Sequence, residues 1–240
     1  MGMYLIYGAN GGIGSAIARE LVRSGHAVHL VGRNGQALQE LAAELGVAHS
    51  VADVNDPSAV ATAAAAGGDD IAGLVYAVGT INLKPFGRLT DDDYLADFGL
   101  NALGAARVIR ASVDALKAGE GGSVVLFSTV AVAQGFAAHA SVAMAKGAVE
   151  GLTRSLGAEL APHVRVNAIA PSLTDTPLAK PMTRSGQMAE AIAGMHAIPR
   201  LGAPADIAGL ARLLLTDQGA WITGQVIGVD GGRSTLRTKG

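Results

Sequence analysis

A short apolar run at residues 4–7 leads directly into a glycine-rich turn at residues 8–14, and a segment with helical periodicity follows and ends at Ser24. Glycines in such a turn let the backbone approach a pyrophosphate, and the N-terminus of the next helix supplies N–H donors and a favourable dipole. A glycine-rich turn can also be an ordinary strand–helix connection. Its place after the first strand favours a dinucleotide site.

The same alternation of apolar runs and helical patterns continues along the chain. The other runs predicted as strands are residues 27–31, 47–51, 74–78, 123–127, 164–169 and 225–229. A long helix is predicted over 91–117 and another over 204–215, whereas 171–200 contains four prolines and is predicted to be irregular. This pattern predicts a Rossmann-type α/β fold, a doubly wound parallel sheet of about seven strands with helices on both faces. With no linker or repeat, we predict one domain over 1–240, ending in a polar surface tail at 233–240.

Composition excludes several functions. Half of the 240 residues are hydrophobic and only 16% are charged, so the chain can bury a sizeable core. The net charge of −2 argues against nucleic-acid or anionic-membrane binding, which needs a basic surface. Without cysteine there can be no disulfide or thiol nucleophile, and we predict no metal site. No apolar run approaches the ~20 residues that a membrane-spanning helix needs. We expect a cytoplasmic protein that acts on a small molecule.

The Gly-x-x-x-Gly-x-Gly spacing of residues 8–14 resembles the short-chain dehydrogenase/reductase family, with Tyr7 in the place of the family's threonine. Further segments are similar to the family in the same order, namely Asp53-Val54, residues 101–104, residues 167–171, Thr176, and residues 222–225 followed by 230–232. The resemblance covers nearly the whole chain. It implies a nicotinamide cofactor bound by Gly8, Asn10, Gly12, Ile13, Gly14, Asp53, Val54, Ala77, Gly79, Lys146, Pro171 and Thr176.

The end of the second predicted strand bears on the choice of cofactor. Gly32 stands where the family usually has an acidic residue that contacts the ribose and favours NAD. Nothing there repels a 2′-phosphate, and Arg33 follows with a guanidinium fork suited to binding one. We therefore predict NADP(H) in preference to NAD(H). Alternatively, Arg33 stacks on the adenine or faces solvent.

The catalytic set implied by the resemblance is incomplete. The family uses Asn, Ser, Tyr and Lys, with the tyrosine four residues before the lysine. Asn101 and Lys146 match, Thr129 with its hydroxyl stands in the serine position, and Val142 stands in the tyrosine position. An isopropyl group cannot donate a proton, so this chain resembles a divergent member.

Two groups could deliver the proton that the family's tyrosine would otherwise supply. One is water held by Asn101 and Lys146. The other is His139, whose place seven residues before Lys146 resembles the tyrosine of the enoyl-ACP reductase branch, while the local pattern is also similar to dienoyl-CoA reductases. Histidine titrates near neutrality and is a competent acid where it reaches the substrate. His139 can instead cap the helix or face solvent.

Three functional hypotheses follow. The first is an oxidoreductase that reduces a small or medium apolar carbonyl or enoyl substrate with NADPH and non-standard proton delivery. The second is a catalytically inactive NADP(H)-binding regulatory or structural subunit, and the third is a pocket reused for another nucleotide. Residues 171–200 are predicted to form the substrate loop or lid, with Lys180 and Arg184 as ordinary loop charges rather than anion ligands. The resemblance also implies a homo-oligomer, a dimer or tetramer.

Overall fold

The computed structural model describes residues 2–119 and 121–237. Its strands form one parallel sheet in the order β3-β2-β1-β4-β5-β6-β7. The strands are β1 Met3–Tyr7, β2 Val28–Gly32, β3 Ala48–Val51, β4 Ile71–Tyr76, β5 Gly122–Phe127, β6 Val164–Pro171 and β7 Val226–Val229. The strand order reverses between β1 and β4, and in such sheets ligands bind at the carboxyl ends beside the reversal. The predicted Rossmann-type fold is confirmed.

Helices cover both faces of the sheet. They are α1 Gly12–Arg23, α2 Gly35–Leu45, α3 Pro57–Ala66, α4 Asp91–Phe98, α5 Gly104–Ala118, α6 Val130–Ala133, α7 Ala140–Glu159, α8 Gly186–Ala193 and α9 Pro204–Leu215, and a π-helical segment, Gly99–Leu103, joins α4 to α5. Side chains alternate along β1, so Tyr4 and Ile6 pack with α1, α2 and α9, whereas Leu5 and Tyr7 pack with α3, α5 and α7. Two cores therefore hold the sheet between two helical layers.

Most strand ends lie within one or two residues of the prediction, and two elements differ more clearly. β4 begins at Ile71 rather than at residue 74, because Gly73 interrupts the apolar run yet belongs to the strand. A Cβ at Gly73 would lie 2.6 Å from the Tyr4 ring, so only glycine fits beside β1 there. The predicted helix over 91–117 contains the π-helical segment, which shifts the side chains that follow Asn101.

The prediction that residues 171–200 are irregular was also wrong. A 3₁₀ helix spans Pro177–Met182 and α8 spans Gly186–Ala193. Proline is favoured in the first turn of a helix, and the Ser185 hydroxyl caps α8 by accepting a hydrogen bond from the Met188 N–H at 3.2 Å. Of the predicted tail at 233–240, residues 238–240 lie outside the described residues. None of the described helices is both long enough and apolar enough to span a membrane.

Candidate active site

A cavity of 590 Å³ opens beside the carboxyl ends of β4, β5 and β6, next to the reversal of strand order. The predicted site residues that line it are Ile13, Ala77, Gly79, Thr129, His139, Lys146, Pro171 and Thr176. The segment predicted as a lid contributes the apolar side chains of Leu173, Leu178, Met182, Met188, Ile192 and Met195. The cavity therefore has polar groups near the sheet and a mostly apolar wall from the lid.

The glycine-rich turn is built for close approach of a ligand. Gly8 has φ +78°, and a Cβ there would lie 2.7 Å from the Ala77 carbonyl carbon, while a Cβ at Gly14 would overlap the Gly8 carbonyl oxygen. The first turn of α1 has neither a capping side chain nor an acidic residue. Its N–H groups and dipole are therefore open to an anion, and the turn fits a pyrophosphate.

Thr176 connects this turn to the lid. Its side chain is buried, and a Cβ at Gly12 would lie 2.6 Å from its Cγ2 atom. The Thr176 hydroxyl accepts a hydrogen bond from the Ala179 N–H at 3.3 Å and so caps the 3₁₀ helix of the lid. Because Thr176 touches the turn, the lid begins directly beside the predicted pyrophosphate site.

Asn10, Arg33 and Asp53 come together at the carboxyl end of β2. A Cβ at Gly32 would lie 2.5 Å from the Asn10 Oδ1 atom, so glycine leaves the space that the Asn10 amide uses. The Arg33 side chain is 65% exposed, and its Nη1 atom lies 3.9 Å from the Asp53 Oδ2 atom. Such an exposed, long ion pair contributes little to stability. The guanidinium is thus available to another anion, while the neighbouring Val54 is buried.

Lys146 is the buried cation of the site, with only 7% of its surface exposed. Its ammonium donates a hydrogen bond to the Phe127 carbonyl oxygen at 2.8 Å. Burial lowers the pKa of Lys146 to about 8, and the negative charge of Asp97 opposes this shift. A Cβ at Gly79 would lie 3.2 Å from the Lys146 Nζ atom and 3.1 Å from the Asn101 Oδ1 atom, so glycine lets β4, α7 and the π-helical segment meet.

Asn101 is fully buried in the π-helical segment. Its Nδ2 group donates to the Thr80 hydroxyl at 2.9 Å and to the Asp97 carbonyl oxygen at 2.8 Å. The Thr80 hydroxyl in turn donates to the Asp97 Oδ1 atom at 2.6 Å. The other carboxylate oxygen of Asp97 is buried and has no hydrogen-bond partner among the described residues. Sequence analysis missed Asp97, which sits in a helix with an acidic exposed first turn but is itself buried.

His139, Val142 and Lys146 all line the cavity, as their spacing predicts. His139 immediately precedes α7, and its Nδ1 atom is within hydrogen-bond distance of the Ala137 carbonyl oxygen, at 2.8 Å. Ala138 adopts φ 63°, a conformation that costs a non-glycine residue ~1–3 kcal/mol and sets the entry of the chain into α7. Val142 is buried and offers no polar atom to the cavity.

Two hydroxyls lie at the end of β5. The Ser128 hydroxyl donates to the Glu150 carboxylate at 2.8 Å. The Thr129 hydroxyl caps α6 by accepting from the Ala131 N–H at 3.3 Å, and no acceptor for its own proton is present among the described residues. Thr129 can therefore direct a hydroxyl proton to a ligand in the cavity.

Three further features were not predicted. Arg233 lines the cavity, so the prediction of a surface tail was wrong at this residue. Gly231 and Gly232, with φ 61° and 83°, turn the chain back towards the lid after β7. Ser172 also lines the cavity, and its hydroxyl lies 2.8 Å from the Nε2 atom of the buried His196.

Lys180 and Arg184 are exposed and do not belong to the cavity wall, in agreement with their interpretation as ordinary loop charges.

Known proteins resemble this chain over nearly its whole length. The family model described as enoyl-(acyl carrier protein) reductase matches residues 8–234. The short-chain reductase protein NovJ of Streptomyces niveus is 33% identical, with 95% of this chain and 92% of that protein covered. A short-chain type dehydrogenase/reductase from Mycobacterium ulcerans has a TM-score of 0.92 and 30% identity, with 98% of this chain and 90% of that chain covered. An actinorhodin polyketide ketoreductase crystallised with NADPH has a TM-score of 0.92 and 26% identity, with 98% of both chains covered.

Proposed function

The chain belongs to the short-chain dehydrogenase/reductase family of oxidoreductases, and from that premise we propose that it reduces a small or medium apolar carbonyl or enoyl substrate with NADPH. We further propose that the proton comes from a group other than the family's tyrosine. The bound nicotinamide would supply the hydride. The protein would bind and orient both reactants, exclude water and deliver the proton.

The observation that carries this proposal is the buried ammonium of Lys146 beside Asn101 and Gly79 at the cavity. A buried cation is costly, and the Phe127 carbonyl accepts only one of its three N–H bonds. Ribose hydroxyls of a cofactor would accept the others. We propose that Lys146 holds the ribose, with Ile13, Ala77, Pro171 and Thr176 enclosing the nicotinamide.

The preference for NADPH rests on the end of β2. Gly32 leaves no carboxylate to repel a 2′-phosphate, and the mostly exposed Arg33 has only a long contact with Asp53 to hold it. We propose that Arg33 and Asn10 bind the 2′-phosphate and its ribose, while Asp53 and Val54 contact the adenine. The NADPH in the ketoreductase of similar structure supports a nicotinamide dinucleotide in this fold.

By its spacing from Lys146 we assign Val142 to the position of the family's tyrosine, and we therefore propose that another group delivers the proton. The pKa of Lys146, about 8, keeps its ammonium a competent acid near neutrality, and water beside Asn101 would carry the proton to the substrate. His139 is the other candidate because its ring reaches the same cavity. Thr129 would then orient the substrate oxygen with its free hydroxyl proton.

One experiment distinguishes these sources. If His139 is the acid, His139→Asn lowers kcat by ~10²–10⁴ and removes the basic-side decline of the pH–rate profile, which histidine deprotonation would cause. If Lys146 and water supply the proton, the variant keeps the profile and most of kcat. His163→Asn, a histidine outside the cavity, is the matched control.

A second function, that of an inactive NADP(H)-binding subunit, is favoured by one observation: the side chain on the cavity wall one turn before Lys146 is the buried, apolar Val142. Fluorescence titrations with NADPH and NADH, followed by a panel of carbonyl and enoyl substrates, separate the two functions. Tight NADPH binding with turnover supports the reductase. Tight binding without turnover supports the inactive subunit, and binding of neither cofactor contradicts both.

We also propose that the single domain assembles into a homo-oligomer, a dimer or tetramer. Leu95 on α4, Phe98 at its end and Leu103 in the π-helical segment expose 68%, 41% and 41% of their surface. Neighbouring exposed apolar side chains of this kind mark contact surfaces. Light scattering coupled to gel filtration gives the mass directly, and a monomer mass of 24.0 kDa would contradict the proposal.

A further inference from the structure

Arg233 is a cation that has no counter-ion among residues 2–119 and 121–237. Its guanidinium carbon lies 4.7 Å from the centre of the Phe136 ring, and it forms neither a hydrogen bond nor an ion pair with its side chain among the described residues. The nearest acidic residue in sequence, Asp230, accepts hydrogen bonds within its own turn, from the Gly232 and Ser234 N–H groups and the Ser234 hydroxyl, and none from the Arg233 side chain. The five N–H donors of Arg233 therefore have no acceptor from the described part of the chain.

In the part of the chain that the structure describes, the charges of the cavity wall have one sign. Lys146 and Arg233 line the cavity, and no aspartate or glutamate of that part belongs to the lining. The two cations differ in their surroundings. Lys146 has a carbonyl acceptor and lies within the electrostatic influence of the Asp97 carboxylate, whereas the described residues offer the Arg233 guanidinium the face of Phe136 and no acceptor. Most other lid and wall side chains are apolar. An occupant with an apolar body and one anionic group matches this distribution.

The contact with Phe136 favours recognition of an anion rather than simple packing. The guanidinium carbon lies over the ring, and an aromatic face attracts a cation without supplying a carboxylate or carbonyl oxygen to accept its N–H groups. Phe136 is itself fixed by an edge contact with His139, at 5.4 Å between ring centres. Partial burial lowers the pKa of Arg233, which means that the cation has lost water without gaining a partner. A carboxylate or phosphate would replace that water with paired, charge-assisted hydrogen bonds.

We propose that Arg233, held by Phe136, is the anion-binding subsite of the cavity and that the substrate carries a carboxylate or phosphate on an apolar body. This inference rests on the proposed function, because it names the substrate class of the same site. Arg233 acts here as a specificity-determining residue. It takes no part in the delivery of hydride or proton.

The test is a calorimetric titration of the full chain, with and without saturating NADP⁺, using octanoate, octyl phosphate and the neutral octanamide. We expect the wild type to bind octanoate or octyl phosphate at least ~tenfold more tightly than octanamide, as a charge-assisted pair with arginine implies. Tighter binding of octanoate than of octyl phosphate identifies the anion as a carboxylate, and the reverse order identifies it as a phosphate. Arg233→Gln should bring the preference below about twofold while octanamide binding stays unchanged.

Two variants make the result specific. Arg233→Lys keeps the charge without the fork, and we expect it to retain part of the preference. Lys180→Gln removes an exposed lid cation outside the cavity wall and should leave the preference intact. The inference is wrong if the wild type binds octanamide as tightly as the anions, or if Arg233→Gln keeps the full preference.

A separate measurement on the same proteins tests the proposed function. NADPH fluorescence should report equal affinity for the wild type and Arg233→Gln, because Arg233 is not part of the predicted cofactor site. A wild type that binds no NADPH yet prefers octanoate through Arg233 would contradict the proposed reductase and leave the anion subsite standing. NADPH binding with no preference for the anions over octanamide would contradict the anion subsite and leave the proposed reductase standing.

Discussion

Replacing Lys146 by methionine removes a buried ammonium and keeps most of the side-chain volume, so the pH dependence of stability isolates the effect of its charge. In the folded protein burial lowers the pKa of Lys146 from 10.5 to about 8, whereas the unfolded chain has the ordinary value. Between these two values the unfolded state binds more protons than the folded state. Stability of the wild type should therefore rise with pH through this window.

The size of the effect follows from the two pKa values. The drop from 10.5 to about 8 corresponds to ~3 kcal/mol at ~1.4 kcal/mol per pH unit. At pH 7 and below, both states carry the proton almost completely, so nearly the full desolvation cost of the ammonium is present there. Between pH 7 and pH 10 we expect ~2.5 kcal/mol of this cost to disappear in the wild type and to be absent from Lys146→Met.

Urea unfolding followed by circular dichroism, without cofactor, measures the free energy of unfolding of both proteins at each pH. The difference between the two curves is the quantity of interest, since other titrating groups change both proteins alike. Lys117→Met, which removes an exposed helix lysine, is the control and should run parallel to the wild type. Parallel curves for Lys146→Met as well would refute the argument, because the ammonium would then have kept its hydration in the folded protein.

Three further variants test the site. Arg33→Ala should weaken NADPH binding by ~tenfold or more and leave NADH within about twofold in fluorescence titrations, since only NADPH presents the 2′-phosphate; equal losses would contradict that role. Val142→Tyr places a phenol one turn before the lysine, and it should raise kcat for carbonyl reduction by up to the ~10²–10⁴-fold that a general acid contributes. NADPH absorbance measures kcat, and Val142→Phe, which has no hydroxyl, should leave it unchanged. Gly14→Ala should lower the free energy of unfolding, measured in urea, by ~1–3 kcal/mol, because the new methyl group overlaps the Gly8 carbonyl. Gly151→Ala, where a methyl group meets open space, should be neutral or stabilising. An unchanged free energy of unfolding for Gly14→Ala would mean that the turn adapts to the methyl group.

The fold was predictable because each local signal agrees with the whole. Leu5 and Ile6 are adjacent in sequence and pack into opposite cores, as a strand covered on both faces requires. Gly8 and Gly14 stand where the backbone leaves no room for a side chain, so the spacing of these glycines in the sequence predicts the geometry of the turn. Signals of this kind depend on neighbouring residues and can be read along the chain.

The features that were missed depend on contacts between distant residues. Ser172 meets His196 across 24 positions, and nothing in either neighbourhood indicates the other. The Gly231-Gly232 pair signals a turn, but the direction that brings Arg233 to Phe136 depends on where β7 ends against the lid. Asp97 has the sequence context of an exposed helix, yet the π-helical segment and the Thr80 hydroxyl draw it inward. Tertiary packing decides such positions.

The surroundings of the two cavity cations imply different roles for the same charge. Lys146 keeps a counter-charge and an acceptor from the protein itself, so its ammonium is oriented before any ligand arrives. Arg233 has neither among the described residues, and in our proposal an entering anion supplies both. A cation that the protein already orients through one carbonyl, with N–H bonds left for a ribose, suits a cofactor that every substrate must meet. A cation that is left unpaired suits discrimination between substrates. An anionic substrate pairs with the guanidinium, whereas a neutral competitor leaves it desolvated and therefore binds less tightly.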